Sequence, residues 1–315
     1  MINWCRDLCT TSLNFRYKHN NIFSKRIAKM TYKLCLRVVQ IFVPMLYSCI
    51  ENEDTGVTTN DYGVPIILSL TSFPARIESV WLTVETLMRQ DMKPNRIILW
   101  LAKEQFTNGD ADLPMKLLKL KKRGLEIRYC TDLISHKKYY YTMLENPKAV
   151  VITADDDIFY PSDMISLLFK KYKQYQDCVV CNRAHKITFS SSGQVSSYNK
   201  WELLSSGEAK PSMLLVPTGA GGCLYPPGCL DKEVFNIPAI KELAPLADDL
   251  WLKCMSLLKG RKVVKSKAIL AEVFPQRGSK KTGLAMINVR KNQNDIQFAK
   301  IINRYNIDLK KYIDS

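Results

Sequence analysis

From residue 64 onward, short apolar runs alternate with stretches whose apolar residues recur at helical spacing. Residues 65–70, 96–101 and 125–130 have the length and flanks of strands, and a further run begins at Val150. Between the first two, Ile77, Val80, Trp81, Val84, Leu87 and Met88 lie three or four residues apart, and Pro94 follows the helix end. Residues 114–123 predict a basic helix stopped by Gly124, residues 135–144 a short helix, and residues 163–175 another. Repeated strand–helix–strand units predict an α/β fold with a mostly parallel central sheet, flanking helices and right-handed crossovers. A strand at 178–182 precedes a long polar excursion over 184–212 that contains Trp201; such long loops in compact domains usually carry function. Gly219, Gly221 and Gly222 then stand before a short apolar step, where glycine lets backbone approach a ligand. Last, Leu250, Cys254, Leu257 and Leu258 form one stripe of a helix closed by Gly260.

The first 60 residues have a different pattern. Arg16, Lys18, Lys25, Arg26, Lys29, Lys33 and Arg37 interleave with Phe15, Ile22, Phe23, Ile27, Met30 and Leu34, which predicts a basic amphipathic extension. Residues 34–50 are apolar but carry Arg37, Gln40 and Pro44 and fall short of the roughly 20 residues of a spanning helix. Two fates suit such a segment equally: attachment to an anionic membrane surface, or packing on the main domain. Residues 51–63 read as a linker. The expected organisation is a helical extension over 1–60, a catalytic domain over 61–270 and a C-terminal extension over 271–315 packed on it.

Composition narrows the class. With 315 residues, 46% hydrophobic and 24% charged, the chain can bury a full core and is neither disordered nor fibrous. A formal charge of +16 favours polyanionic partners such as an anionic lipid surface, phosphate-bearing small molecules or nucleic acid. Ten cysteines scattered through apparent core segments suit a reduced, intracellular protein. Cys178 and Cys181 have metal-like spacing, yet a strand would turn their thiols to opposite faces.

Chemistry gathers in residues 150–161, where Val150, Val151 and Ile152 run into Asp155, Asp156 and Asp157 and then Pro161. This reads as a buried strand ending in a site, since open α/β sheets bind ligands outside the carboxyl ends of their strands. Strand alternation would aim Asp155 and Asp157 to one side and Asp156 to the other. Like charges this close resist joint ionisation unless a cation compensates them, and oxygen ligands suit Mg²⁺ or Mn²⁺. The plainer reading is an acidic turn capping the helix that starts near Ser162. A second acidic pair, Asp248 and Asp249, opens the last helix, where Asp is most often only a cap.

Taken together, these residues resemble the glycosyltransferases of the GT-A fold, and within them the family-2-like enzymes of bacterial surface polysaccharide synthesis. The resemblance covers about residues 64–258 and rests on residues 68–76, residues 135–141, the triplet at 155–157 and residues 247–252. It implies a nucleotide-diphosphate-sugar donor held by Thr71, Ser72, Pro74 and Arg76. It places Lys138 by the diphosphate, Asp155 on the ribose or a metal-bound water, Asp157 on a divalent metal (Mn2+ or Mg2+), and Asp156 within the same donor-binding motif. Gly221 and Gly222 would approach the transferred sugar. Asp249, beside Asp248, would take the acceptor's proton in an inverting reaction. The implied acceptor is a glycan or lipid-linked glycan, with no nucleic-acid partner, and the location cytoplasmic with peripheral attachment to the inner face of a membrane. Two positions depart from that family's pattern: residues 96–105 hold no Asp to read the base, and no histidine comes after the acidic pair. A metal-dependent nucleotidyltransferase, or a nonenzymatic basic protein binding nucleic acid or lipid, are the competing expectations.

Overall fold

The computed structural model describes residues 1–50, 52–205, 210–269, 273–279 and 292–313. The strands are β1 (Ile66–Thr71), β2 (Arg96–Ala102), β3 (Leu125–Cys130), β4 (Val150–Thr153), β5 (Ile158–Phe159), β6 (Val179–Cys181), β7 (Ala184–Lys186), β8 (Leu215–Pro217), β9 (Cys223–Tyr225), β10 (Val263–Lys265) and β11 (Phe274–Pro275). The helices are α1 (Ile2–His19), α2 (Ile22–Cys49), α3 (Ile77–Met88), α4 (Met115–Lys119), α5 (Lys137–Glu145), α6 (Met164–Gln174), α7 (Ile237–Leu243), α8 (Asp248–Leu258) and α9 (Gln293–Arg304).

Seven strands form one sheet in the order β10-β6-β9-β4-β1-β2-β3. Every pairing in it is parallel except those of β9, which runs antiparallel to both β4 and β6. The chain builds β1, β2 and β3 outward on one side and then returns through α5 to lay β4 on the other side of β1. Strand order therefore reverses at β1 and β4, and the two strands diverge into a crevice at their carboxyl ends, where such sheets take ligands. Alternation along β1 sends Ile66, Leu68 and Leu70 into the layer containing α3 and α6, and Ile67 into the opposite one, so apolar side chains are demanded on both faces. The same alternation puts Cys178 in one core layer and Cys181 in the other.

Three segments differ from their sequence expectation. The basic helix expected over 114–123 is a single turn, α4, that tightens into a 3-10 turn over Leu120–Arg123. Gly124 ends it at φ +101, where a Cβ would come within 2.6 Å of the Val57 side chain. The excursion over 184–212 is not wholly irregular: β7 pairs antiparallel with β8, and Trp201 is buried between Tyr198 and Phe298. The strand expected to run into the acidic triplet stops at Thr153, where pairing with β1 ends.

The basic N-terminal segment is a helical hairpin of α1 and α2 lying against the sheet domain. Asn21 caps α2 with its side chain, in a reciprocal box with Ser24. One face joins the main core through Cys5, Cys9, Cys35, Val39 and Val43. Arg6 is ion-paired with Asp163, and Tyr32 and Gln40 donate to the carbonyls of Val273 and Pro275 at 3.0 and 2.8 Å. No described helix is long and apolar enough to cross a membrane. At the other end, α9 packs on α8, with Phe298 and Ile301 in the second core layer.

Candidate active site at the carboxyl ends of β1 and β4

A cavity of about 690 Å³ opens at the reversal point. Thr71, Ser72 and Arg76 line it from the end of β1 and the turn after it, Asp155, Asp156 and Asp157 from the turn after β4, Lys138 from α5, and Asp248 and Asp249 from the first turn of α8. Pro74 is exposed and does not line it.

The triplet lies in a turn, so strand alternation does not set its side-chain directions. After Ala154 donates to the Ser69 carbonyl, the Asp155 N–H donates to the Tyr160 hydroxyl at 2.8 Å, and the chain doubles back into β5. Asp156 is buried because its partners are: Ser72 Oγ donates to it at 2.6 Å, Arg76 pairs with its other oxygen, and Thr83 Oγ1 holds its carbonyl at 2.9 Å. Arg76 also meets Asp157 at 3.0 Å, so one guanidinium clamps two of the three carboxylates. Burial pushes the Asp157 carboxyl up to about 6, with Arg76 opposing and its two neighbouring carboxylates adding to the rise. Nor does the triplet cap the next helix, whose N-cap position is Asp163.

Lys138 is the hub between the two acidic groups. Its Nζ lies 2.8 Å from Asp155 Oδ1 and 2.8 Å from Asp248 Oδ2. Burial disfavours its charge, but Asp155, Asp248 and Asp249 outweigh that and hold its pKa well above the ordinary lysine value. Its helix is anchored by His136, whose Nε2 is 2.7 Å from the Ala244 carbonyl and whose Nδ1 is 3.0 Å from the Tyr139 hydroxyl. The carbonyl can only accept, so Nε2 carries the proton.

The two acids of α8 are set apart by what surrounds them. The N-cap position is Ala247 and no side chain caps the helix, so neither Asp248 nor Asp249 is the cap that their place suggested. Burial opposes ionisation of Asp248, but the Lys138 ammonium prevails and keeps its carboxyl below the usual range. Asp249 makes no ion pair with the described residues; both its oxygens accept from the Gly219 N–H, at 3.2 and 3.1 Å. Burial first, and then the charge of Asp248, push its carboxyl up to about 7. A pair of carboxyls driven to opposite extremes is how a site keeps one acid ionised for structure and another poised for proton transfer.

The glycine segment meets the site differently from the sequence expectation. Gly221 packs where a Cβ would strike Arg183 at 2.6 Å, and Gly222, at φ +82, sits over Met164; none of the three glycines lines the large cavity, which Thr218 and Ala220 reach instead. Gly219 is the glycine at the carboxylates: a Cβ there would fall 2.8 Å from Asp155 Oδ1 and 2.9 Å from Lys138 Nζ. The far wall holds Arg183, His185, Tyr198, Asn199 and Asn294. Arg183 donates to Thr218 Oγ1 at 2.7 Å, and burial and then Arg183 push His185 down to about 3, so that ring is neutral. The polar excursion flagged the wall as a whole, while Asn294 comes from α9, where Phe298, Ile301 and Tyr305 recur at helical spacing but nothing in the sequence marks a site.

Among the described residues, no three His, Cys, Asp or Glu side chains gather as a metal cage. Asp155 and Asp157 both face the cavity, their side chains 30% and 18% exposed, Asp155 held by Lys138 and Asp157 by Arg76. Two such carboxylates suit a hard divalent ion that draws its remaining oxygens from water and a substrate's phosphates.

No family model matches the chain, and no curated protein does. Among solved structures it is similar to a mannosyltransferase from Pyrobaculum calidifontis in complex with GDP-Man and Mn2+, at 14% identity over 86% of this chain and 74% of that one, with a TM-score of 0.47. It is also similar to a 4-diphosphocytidyl-2C-methyl-D-erythritol synthase, at 10% identity over 72% of this chain and 97% of that one, with a TM-score of 0.39.

Proposed function

We propose that the chain is a metal-dependent glycosyltransferase of the GT-A type, moving a sugar from a nucleotide-diphosphate donor to a hydroxyl of a glycan or lipid-linked glycan, with inversion. The observation that carries this reading is Asp249: a half-buried carboxyl raised to about 7, aimed by a backbone N–H, in one cavity with Lys138 and the Asp155 to Asp157 turn. Thr71, Ser72 and Arg76 form the wall on which the nucleotide would lie. Asp155 and Asp157 would hold Mn2+ or Mg2+, which when bound offsets charge on the departing diphosphate. Lys138, kept charged by its carboxylate partners, faces the same developing charge, where a fixed cation in a dry site is most effective. Asp248 keeps Lys138 in place. The acceptor's proton goes to a carboxylate oxygen of Asp249, which Gly219 orients. Asp156 has no contact with reacting atoms in this scheme; it fixes Arg76.

A cytoplasmic enzyme working on a lipid-linked acceptor would lie at the inner face of a membrane, and nucleic acid is not among its partners in this reading. The test is a donor screen with divalent metal and mixed glycan acceptors. Nucleoside diphosphate release that depends on donor, metal and acceptor supports the reading. Pyrophosphate release from a nucleoside triphosphate would assign nucleotidyl transfer instead, and salt-sensitive nucleic-acid binding without turnover would replace the enzyme by a binding protein.

A further inference from the structure

The outward face of the N-terminal hairpin is apolar and basic at once. Along α2, Phe23, Met30, Leu34, Ile41 and Met45 are spaced by steps of seven and four, which places them on one side of the helix. Each is more than half exposed, while Ser24, Ala28, Cys35, Val39 and Val43 on the other side are buried. Single exposed apolar side chains are ordinary, but this stripe continues along about 33 Å of helix. Arg26, Lys33 and Arg37 are exposed beside it, and Trp4, Leu8 and Phe15 of α1 are exposed at helical spacing. Within residues 1–49 the sole acidic residue is Asp7, and Arg6 already pairs with it.

Charge chooses the occupant. A second copy of the hairpin would bring Arg26, Lys33 and Arg37 against their own kind, with Asp7 alone to meet them. A bilayer carrying anionic headgroups matches both halves of the pattern: phosphates for the basic side chains, the acyl boundary for the apolar stripe. We propose that this face is a docking surface for anionic phospholipid bilayers, on which the protein lies without crossing. None of its residues lines the large cavity, so the proposal stands independently of the catalytic reading.

The test is cosedimentation of the full chain with vesicles of phosphatidylglycerol and phosphatidylcholine, against vesicles of phosphatidylcholine alone, at low and high salt. Binding confined to the anionic vesicles and weakened by salt is expected. Arg26→Gln, Lys33→Gln and Arg37→Gln together should weaken it by about fivefold per charge removed, and Met30→Ser, Leu34→Ser and Ile41→Ser together by at least about tenfold. All six side chains are exposed, so both variants should melt near the parent; if one set fails to fold, the other decides. Absence of binding by the parent, equal binding to neutral vesicles, or parental binding by the folded variants would each overturn the proposal. A dimer that the apolar set dissociates, without vesicle binding, would give the face to a second copy and overturn it as well.

Discussion

At the scale of single residues, identical chemistry diverges with its surroundings. Asp249→Asn keeps the shape and can still accept from Gly219, yet it cannot take a proton, so turnover should fall about 10²-fold or more with donor binding and melting temperature little changed. Turnover within a few-fold of the parent would end its role as base. The pH profile is a second check. A base works ionised, so a carboxyl near 7 gives kcat/KM that climbs about tenfold per unit from pH 5 to 7 and then levels, whereas an ordinary carboxyl near 3.9 gives a flat line over that range. The triplet reverses its sequence expectation at one position. Alternation aimed Asp156 away from Asp155 and Asp157 and so made its loss the milder one, but the turn buries it against Arg76 and Ser72, and removing one partner of a buried ion pair costs about 3–5 kcal/mol. Asp156→Ala should therefore lower the melting temperature markedly, while Asp157→Ala should abolish metal-dependent transfer at near-normal stability. Equal stability of the two variants would contradict that division.

At the scale of elements, the parallel strands β1, β2 and β4 were legible because a strand covered on both faces must be apolar nearly throughout, while β3, at the sheet edge, alternates Leu125, Ile127 and Tyr129 with Glu126 and Arg128. What escaped was set by contacts distant in sequence. The strand before the triplet ends early because its pairing with β1 ends, and the polar excursion forms β7 because β8, some thirty residues away, offers it an edge. The three glycines were visible as a group, but their separate duties were not, since each depends on what faces it. Gly219→Ala sets a methyl against Lys138 and Asp155, and should reduce turnover about tenfold through displacement of that pair, with the fold retained. Gly222→Ala instead forces a side chain into positive φ against Met164, and should destabilise the protein by about 1–2 kcal/mol or more, measured by denaturant unfolding. If the two variants exchange these effects, Gly222 rather than Gly219 supports the Lys138–Asp155 pair.

At the scale of the whole molecule, the N-terminal hairpin decides where the folding unit ends. Composition sets residues 1–60 apart as an extension that could be removed, because their basic surface differs so plainly from the rest of the chain. The structure gives the inner face of the same hairpin to the main core. Ile2, Cys5, Cys9, Cys35, Val39 and Val43 are buried there, and at about 1–2 kcal/mol each their burial amounts to something on the order of 10 kcal/mol, comparable with the roughly 5–15 kcal/mol that keeps a whole domain folded. The hairpin also reaches the site: Gln40 holds the Pro275 carbonyl, and the next residue, Gln276, donates its N–H to the Asp157 carbonyl at 2.7 Å. Deleting residues 1–49 is therefore expected to yield an insoluble chain, or one without a cooperative melting transition, rather than a trimmed enzyme. A truncated protein that melts cooperatively near the parent temperature and binds donor normally would show that the sheet domain closes its core without the hairpin. The hairpin's buried face would then contribute little to stability, and its connection through Gln40 and Gln276 to the acidic turn would carry no consequence for the site.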